Sequence, residues 1–533
     1  MKCWVDKVSL MKVSFPARYS RLCLPLVFTA LSVAFLMSAC SSQAQFSGEA
    51  YPEPGTSASL SVDYAATNTP EAASSIQPTP TNNSPDTGSD LVLTPEASPA
   101  LPLPHYTITA TLNYAGHLLQ VDEHINYPNA STDTLTELVL MIDAIYYPGT
   151  FQLDKLSWDD SLGEAIYNWE NAILRLQLPI PLAPGEQVSL NLSYSLHLPS
   201  PAPSAEVRPI PFGFTARQTN LVDWYPFVAP YISGTGWVAH NAGFFGEHLV
   251  YAVSDFDISI RLEDPRPDLI VAASSPAQEA DGWRHYHMEN ARNFAWSVSS
   301  DYIVATTRVG KTTITSYTFP VHTTAGETVL KTTTDALALY SELFGPYPRP
   351  ALSVVEADFL DGMEYDGLYF LSNGFYNLYQ GNPGDYLVAI AAHETAHMWW
   401  YALVGNDQAL EPWLDEALCT FSELLYYERY HPEGVGWWWD YRVNYYDPRG
   451  WVNSSIYTSG YRSYRDAVYL NGAVYLDTLR KELGAEAFTS FLKAYASQFT
   501  YQIATADDFF SLLEKYSNTE LLDLKKQFFL DTD

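Results

Sequence analysis

The residues best suited to chemistry lie in one short run, HETAH at 393–397. The surrounding stretch, 386–404, is apolar on nearly every side, which predicts a buried helix. Histidines four residues apart lie one above the other on a helix face, so His393 and His397 can reach a single Zn²⁺. Glu394 can project toward a water at that metal. The alternative is a pair of hydrogen-bonded core histidines, but burying three such polar groups without a metal would be costly.

A catalytic zinc needs a third protein ligand and an open position. The segment that follows, which predicts a helix over 413–430, supplies several carboxylates. Spacing alone does not choose among them, although residues 416 and 423 share a helix face. The candidates are Glu411, Asp415, Glu416, Glu423 and Glu428.

The run HETAH, then eighteen residues, then Glu416 resembles the zinc aminopeptidases that include aminopeptidase N and leukotriene hydrolase. The run 413–417, WLDEA, is similar to the family's WLNEG, with Asp and Ala as departures. Gly405-Asn406 matches its Gly-Asn pair. The resemblance implies that Glu416 completes a two-histidine, one-glutamate site for one Zn²⁺ per chain. It covers about 105–533, most strongly 361–430.

A second motif, DGMEY at 361–365, resembles GAMEN, the strand on which the family's aminopeptidases bind the peptide. The resemblance implies that Glu364 grips the free α-amino group, and that Gly362 and Met363 contact the substrate. A carboxylate fixed near the metal can hold an ammonium and so define the chain end. Asp replaces the family's Gly at 361, and Tyr replaces its Asn at 365. Without the other motifs, a solvated loop glutamate would be the alternative.

A third motif, YLNGA at 469–473, resembles YxKGA, whose tyrosine points at the metal in the family. Tyr469 would then donate a hydrogen bond to the oxyanion that develops during hydrolysis. Asn471 replaces the usual lysine. Tyr464 and Tyr475 compete for this role in a chain with 38 tyrosines, where packing is the default role of any one of them.

The rest of the pattern predicts two folded regions. Residues 105–310 mostly alternate with period two, as in 188–196 and 256–262, and predict an antiparallel β domain with one solvated face. In this region His285 and His287 share a strand face; they could hold a metal, but two exposed polar residues are the simpler interpretation.

Residues 311–533 show helical periodicity and predict the catalytic region. The expected fold class is therefore α+β and multidomain, with a β domain followed by a mainly helical, thermolysin-like zinc peptidase domain. The predicted helices cover 332–343, 386–404, 413–430, 471–483 and 487–498, with a strand at 352–356.

The N-terminus predicts export and lipidation. Residues 1–39 have basic residues before an apolar stretch, which is typical of a signal peptide, and end in LMSA before Cys40. This resembles a bacterial lipobox, which implies a lipidated Cys40; an ordinary signal with a chance cysteine is the alternative. Residues 40–104 are rich in Pro, Ser and Thr and predict a tether. We expect a protein anchored to a membrane of the cell envelope, facing the periplasm or the exterior.

Composition narrows the function classes. The 533 residues include 61 acidic and 28 basic side chains, for a net charge of −33, so nucleic acid is an unlikely electrostatic partner. The 47% hydrophobic content suffices for proper cores. After removal of the signal and lipidation, Cys419 would be the only thiol, which excludes an intrachain disulfide.

The resulting hypothesis is a zinc-dependent metallo-aminopeptidase that hydrolyses N-terminal residues from peptides at the cell envelope. Its partners would be peptides with a free N-terminus and a membrane reached through the lipid anchor. A zinc endopeptidase and a non-catalytic, tethered peptide-binding lipoprotein are the alternatives.

Overall fold

The computed structural model describes residues 102–159, 163–200, 210–263, 266–458, 460–517 and 521–530. The predicted signal peptide, Cys40 and nearly all of the predicted tether lie outside these residues. The described residues all fall within one compact unit of the chain. Within it, a β-rich region precedes a mainly helical one, which confirms the predicted α+β class.

The β region is built on strands whose buried and exposed residues alternate. In Gln187–His197, for example, the buried side chains are Val188, Leu190, Leu192, Tyr194 and Leu196. Alternation of this kind places one face of a sheet on a core. The largest sheet has seven strands, in spatial order Gln278–Ala280, Trp283–Ala291, Ser254–Leu262, His105–Asn113, Leu118–Pro128, Gln187–His197 and Phe151–Trp158.

One pair in this sheet departs from the predicted antiparallel arrangement. His105–Asn113 runs parallel to Ser254–Leu262, whereas its other neighbour, Leu118–Pro128, is antiparallel. The two parallel strands are far apart in sequence, so alternation alone does not reveal their direction. Two four-stranded sheets and a hairpin complete the region. In spatial order, the first sheet contains Phe227–Val228, Leu135–Met141, Ile173–Leu182 and Ile166–Glu170, and the second contains Ile270–Ala273, Trp296–Ser299, Thr219–Leu221 and Gly213–Phe214. The hairpin pairs Tyr231–Ile232 with Gly236–Trp237.

A five-stranded mixed sheet begins the second region. The predicted boundary at residue 310 falls inside a hairpin of this sheet, because Ile303–Val309 pairs with Thr312–Thr318. Ala351–Ala357 and Leu368–Ser372 continue the sheet in parallel. The edge strand, Gly362–Tyr365, carries the second motif and runs antiparallel to Leu368–Ser372.

Helices cover the rest of the second region. Asp385 caps the helix Tyr386–Ala396 by accepting a hydrogen bond from the Leu387 amide, and residues 387–396 of that helix are all buried. No helix among the described residues is long and apolar enough to cross a membrane. The α-helices are Thr323–Leu343, Asn373–Leu378, Tyr386–Ala396, Trp413–Tyr430, Val435–Trp437, Tyr461–Arg465, Gly472–Leu483, Ala485–Gln498, Ala506–Leu513 and Leu522–Phe528, with π-helical turns at Trp438–Val443 and Asp466–Asn471.

The helix predicted over 386–404 ends earlier, at Ala396. The chain then turns through Tyr401, whose φ of 143° lies outside the helical region. The segment 397–404 is buried nonetheless, so its apolar sequence reflects a buried turn. The early end leaves the Trp400 carbonyl free to accept a hydrogen bond from the His397 ring.

Arg292, from the β region, holds this turn in place. Its buried guanidinium donates hydrogen bonds to five backbone carbonyls, at distances from 2.7 to 3.3 Å. Gly405 lies directly against it, and a Cβ there would come within 2.6 Å of the Arg292 Cζ. Burial lowers the pKa of Arg292 to about 10, so the group stays charged at neutral pH. The five carbonyls belong to Tyr251, Tyr401, Ala402, Leu403 and Gln502.

Replacing this arginine is expected to destabilise the whole described unit. Arg292→Met should lower the free energy of unfolding by about 3–5 kcal/mol, because it leaves buried carbonyls without donors. Urea unfolding of the purified chain measures the change. Arg308→Met, at an exposed strand position, is the matched control and should change it little. Equal effects of the two substitutions would contradict the role given to Arg292.

Candidate metal centre

Two helices bring the three predicted ligands together. The Nε2 atoms of His393 and His397 lie 3.1 and 3.6 Å from one oxygen, Oε2 of Glu416. The histidines come from the end of Tyr386–Ala396 and the residue after it, and the glutamate comes from the first turn of Trp413–Tyr430. All three side chains are buried. Two imidazole nitrogens and a carboxylate oxygen at one point form a typical zinc donor set.

Hydrogen bonds on the far side of each ring orient the two histidines. His393 Nδ1 donates to Glu423 Oε1 over 2.9 Å, and His397 Nδ1 donates to the Trp400 carbonyl over 3.1 Å. With the proton on Nδ1, each Nε2 presents its lone pair to the centre. Such outer partners fix the tautomer and ring orientation of metal-bound histidines.

Glu423 is therefore not a fourth ligand but a support for His393. Its two oxygens accept hydrogen bonds from Arg442 at 2.7 and 3.0 Å, and one also accepts from Trp438 Nε1 at 2.8 Å. Although burial acts in the opposite direction, the Arg442 charge and the His393 contact lower the Glu423 pKa overall. The carboxylate is thus kept ionised at the position where it can hold the ring.

The structure gives the remaining candidate ligands other partners. Asp415 accepts from Gln408 Nε2, while both Glu411 oxygens accept from the Ala506 amide at a helix start. Glu428 pairs with Arg480 at the surface. Of the five sequence candidates, only Glu416 reaches both histidine Nε2 atoms.

Glu394 also lies near both histidines, with a carboxylate oxygen within 4.8 Å of a nitrogen of each ring. Gly362 packs directly against the Glu394 carboxylate. A Cβ added at Gly362 would lie 2.0 Å from Glu394 Oε1, so a larger residue here would displace the Glu394 carboxylate. Glu394 Oε2 is buried and makes no hydrogen bond. Burial, and then repulsion from Glu364 and Glu416, raises the Glu394 pKa, as a general base requires.

Glu364 lies on the edge strand Gly362–Tyr365, close to the metal ligands. One of its oxygens is within 4.8 Å of a His397 nitrogen, and Oε1 accepts from Gln408 Nε2 at 3.2 Å. The preceding residue, Asp361, has a φ of 126°, a region that favours the glycine found at this position in the motif. Met363 is buried and lines the cleft together with Gly362.

Tyr469 is the tyrosine that reaches the centre. It lies in the π-helical turn Asp466–Asn471, and its hydroxyl donates to Glu416 Oε1 over 2.6 Å. Desolvation and the Glu416 charge raise the Tyr469 pKa, so the phenol remains a proton donor. Of the two competitors, Tyr464 lines the same cleft beside Tyr469, with ring centroids 5.9 Å apart. Tyr475 packs in the core against Trp413 and Phe529.

Glu247 is a cleft residue that the sequence analysis missed. It comes from a loop of the β region, after Gly246, and lines the cleft together with the metal residues. Its carboxyl contributes, after burial, to raising the Glu416 pKa. The sequence around it, FFGEHL, has neither a regular period nor a motif to mark it. Arg442 and Gln408 were also missed, because only the folded chain brings them to the site.

The cleft formed by these residues has a volume of about 650 Å³. The carboxylates of Glu364, Glu394 and Glu416 are buried in it, and burial followed by repulsion from neighbouring carboxylates raises the pKa of each. Buried acids in such a cluster need a compensating cation. Together with two oriented Nε2 lone pairs, this donor set fits Zn²⁺, held by His393, His397 and Glu416.

The other histidine pair forms no comparable site. His285 contacts Ser259, and His287 contacts Asp257, on an exposed sheet face. Neither belongs to a group of three potential metal ligands among the described residues.

Residues 329–528 match the family model of the peptidase family M1 domain. The chain is 28% identical over 244 residues to Aminopeptidase M1-A of Oryza sativa subsp. japonica, covering 41% of this chain and 26% of that protein. It is 30% identical over 253 residues to Aminopeptidase M1-B of the same organism, covering 42% and 27%. These matches therefore span about a quarter of the curated relatives.

Solved structures share the fold over a larger part of the chain. The M1 zinc metallopeptidase from Deinococcus radiodurans superimposes with a TM-score of 0.56 and 19% identity, over 80% of this chain and 93% of that one. A variant bound to a Tyr-Ser-Ala substrate gives a TM-score of 0.57 and 18% identity, over 81% and 95%. The segment that holds His393, His397 and Glu416 thus matches the peptidase family M1 domain, and the chain shares its fold with M1 metallopeptidases.

Proposed function

We propose that the protein is a zinc-dependent aminopeptidase that removes N-terminal residues from peptides at the cell envelope, with one Zn²⁺ per chain. The observation that carries this proposal is the shape of the cleft beyond Glu364. The adjoining cavity, which shares Glu247, Met363 and Glu364 with the cleft, has a volume of about 20 Å³. That is room for about one water molecule. The side chains packed beside Glu364 therefore leave little room there for a residue that precedes the amino group.

The chain's own groups divide the work of hydrolysis. Glu394, with a free oxygen and a raised pKa, takes a proton from the attacking water and returns one to the leaving amine. Tyr469 donates a hydrogen bond to the oxygen on which negative charge develops. Glu364 holds the substrate ammonium and so selects the first peptide bond. When bound, zinc polarises the carbonyl and acidifies water.

The comparisons support this reading at two levels. The M1 domain match and the plant aminopeptidases support zinc-dependent removal of N-terminal residues. The Deinococcus structure with a Tyr-Ser-Ala substrate supports a peptide as the substrate class. The endopeptidase and the non-catalytic binding protein remain as outcomes of the experiments below.

The role of Glu394 predicts separate effects on metal binding and turnover. Glu394→Gln should retain zinc but lower kcat at least about 100-fold, because it removes the general base. Glu423→Gln is the contrasting variant: it should weaken zinc binding about 10- to 100-fold through the His393 ring. Metal analysis after dialysis and initial rates on an aminoacyl reporter measure both effects. Native turnover in Glu394→Gln would contradict the assignment.

Recognition of the amino group predicts that the enzyme cleaves aminoacyl reporters only when their amine is free. Acetylation should abolish hydrolysis, a chelator should remove it, and zinc should restore it. Glu364→Gln should lower kcat/KM about tenfold or more, because an ammonium–carboxylate contact becomes a neutral one. The exposed Glu428→Gln is the matched control and should retain native rates.

Two results would redirect the proposal. Comparable cleavage of acetylated and free peptides would identify an endopeptidase. Stoichiometric zinc without cleavage of either set would favour a binding protein.

The location rests on the predicted lipidation of Cys40. We expect the mature chain to begin at a lipid-modified Cys40 and to fractionate with membranes. Cys40→Ser should prevent the modification and release the protein into the soluble fraction, because the thiol is the attachment point. Mass spectrometry of the N-terminal peptide and membrane fractionation measure this. Unmodified Cys40 in membrane-bound native protein would contradict the lipoprotein assignment.

A further inference from the structure

One face of a single helical segment runs along the catalytic cleft. Tyr461, Arg465 and Tyr469 are spaced four residues apart, and all three line the cleft. Residues with this spacing lie on the same side of a helix. Tyr469 contacts Glu416 at the metal end, whereas the Tyr461 side chain is 51% exposed. The stripe therefore leads from the metal centre to the mouth of the cleft, and Arg465 lies between the two ends.

The distance between Tyr469 and Arg465 along the helix corresponds to one or two residues of an extended peptide. About one turn of the π-helical segment separates Arg465 from Tyr469, a rise of about 5 Å along the axis. An extended peptide advances about 3.3–3.6 Å per residue. A chain that leaves the scissile bond toward the mouth thus reaches the level of Arg465 within one or two residues.

More acidic than basic side chains line the cleft. Its carboxylates belong to Glu247, Asp361, Glu364, Glu394 and Glu416. Among the described residues that line the cleft, the two guanidinium groups belong to Arg442 and Arg465. Arg442 is engaged by Glu423 through two hydrogen bonds, and that carboxylate also holds His393. Its charge is therefore already used in supporting the site.

Arg465 is held in place by a carboxylate that it shares with a second arginine. Its guanidinium donates to the neighbouring Asp466 carboxylate and stacks over the Tyr446 ring, with Cζ 3.9 Å from the ring centre. Asp466 also pairs with Arg462, at 3.7 Å. Two arginines thus share one carboxylate, so these three side chains together carry a net positive charge. The Arg465 side chain is 20% exposed, so it is accessible from the cleft yet partly desolvated.

We propose that Arg465 binds the C-terminal carboxylate of the substrate and directs the enzyme toward peptides of two or three residues. This inference rests on the proposed aminopeptidase function and deepens it by naming the substrate class. Guanidinium and carboxylate form strong charge-assisted hydrogen bonds, especially where water is partly excluded. The cleft would then hold a short peptide at both ends, with its ammonium at Glu364 and its carboxylate at Arg465.

The test compares tripeptides that differ only at the C-terminus, as free acid or amide, together with an aminoacyl reporter that has no carboxylate. The native chain should cleave the free acid with a kcat/KM about tenfold above that of the amide, mainly through KM, as expected for a charged hydrogen bond. Arg465→Gln should reduce the ratio of kcat/KM for the free acid to kcat/KM for the amide to about one. Arg465→Lys, which keeps the charge but loses the planar fork, should retain part of it.

Arg462→Gln is the matched control. This arginine is on the same helix and pairs with the same Asp466, but its side chain is 78% exposed and does not line the cleft. The control should keep the native ratio of acid to amide.

The outcomes separate the two proposals. An acid-to-amide ratio of one in the native chain, with the reporter still cleaved, would overturn the role of Arg465 and leave the aminopeptidase intact. A ratio unchanged in Arg465→Gln would also overturn it. Failure to cleave any substrate, the reporter included, would overturn the proposed function itself and this inference with it.

Discussion

The contact between Glu423 and His393 is the interaction on which the rest of the site depends. A neutral imidazole can present Nε2 to a metal only if Nδ1 carries the proton, and Glu423 fixes that proton through a 2.9 Å hydrogen bond. An ionised glutamate in so buried a place needs a cation of its own, which Arg442 supplies. Trp438 and Arg442 lie in the π-helical turn Trp438–Val443, which brings both donors to one carboxylate. Contacts behind the His393 ring therefore set how its Nε2 faces the proposed metal position.

The β region contributes to the site from the opposite side. The helix that carries His393 must end at Ala396 for the Trp400 carbonyl to face the ring of His397. In the buried turn that results, Arg292 donates hydrogen bonds to the carbonyls of Tyr401 and Ala402. Glu247 enters the cleft from the same region. The two regions are thus coupled through hydrogen bonds at the site, although the sequence suggests separate domains.

The spacing of residues along a helix was enough to predict which side chains share a face, but not which of them bind the metal. The spacing of His393 and His397 implies a shared helix face whatever the surrounding fold. In the structure, the Nε2 atoms of both rings lie close to Glu416 Oε2. Spacing could not separate Glu416 from Glu423, because both lie on one face of the same helix. The crossing of the two helices makes the distinction, placing one glutamate at Nε2 and the other at Nδ1 of the same ring.

Other features depend on tertiary structure and left no local signal. The apolar residues after His397 are buried in a turn, and apolar composition alone does not distinguish a buried turn from a buried helix. The hairpin Ile303–Val309 with Thr312–Thr318 alternates like the strands before it, so its membership of the next sheet is not visible in the sequence. Glu247 lies in an aperiodic loop. For these residues, position in the fold rather than local pattern determines the role.

The edge strand Gly362–Tyr365 links the two carboxylates that the proposed reaction uses. Gly362 packs so closely against Glu394 that an added Cβ would displace its carboxylate, and Glu364 lies two residues further along the strand. Residues two apart on a strand face the same side and are separated by about 7 Å. The strand therefore fixes the spacing between the proposed base and the proposed amine-binding group by its own backbone geometry. In the proposed aminopeptidase, a substrate held at Glu364 would present its first peptide bond to Glu394. The preference for a chain end would then follow from the placement of one short strand against one helix.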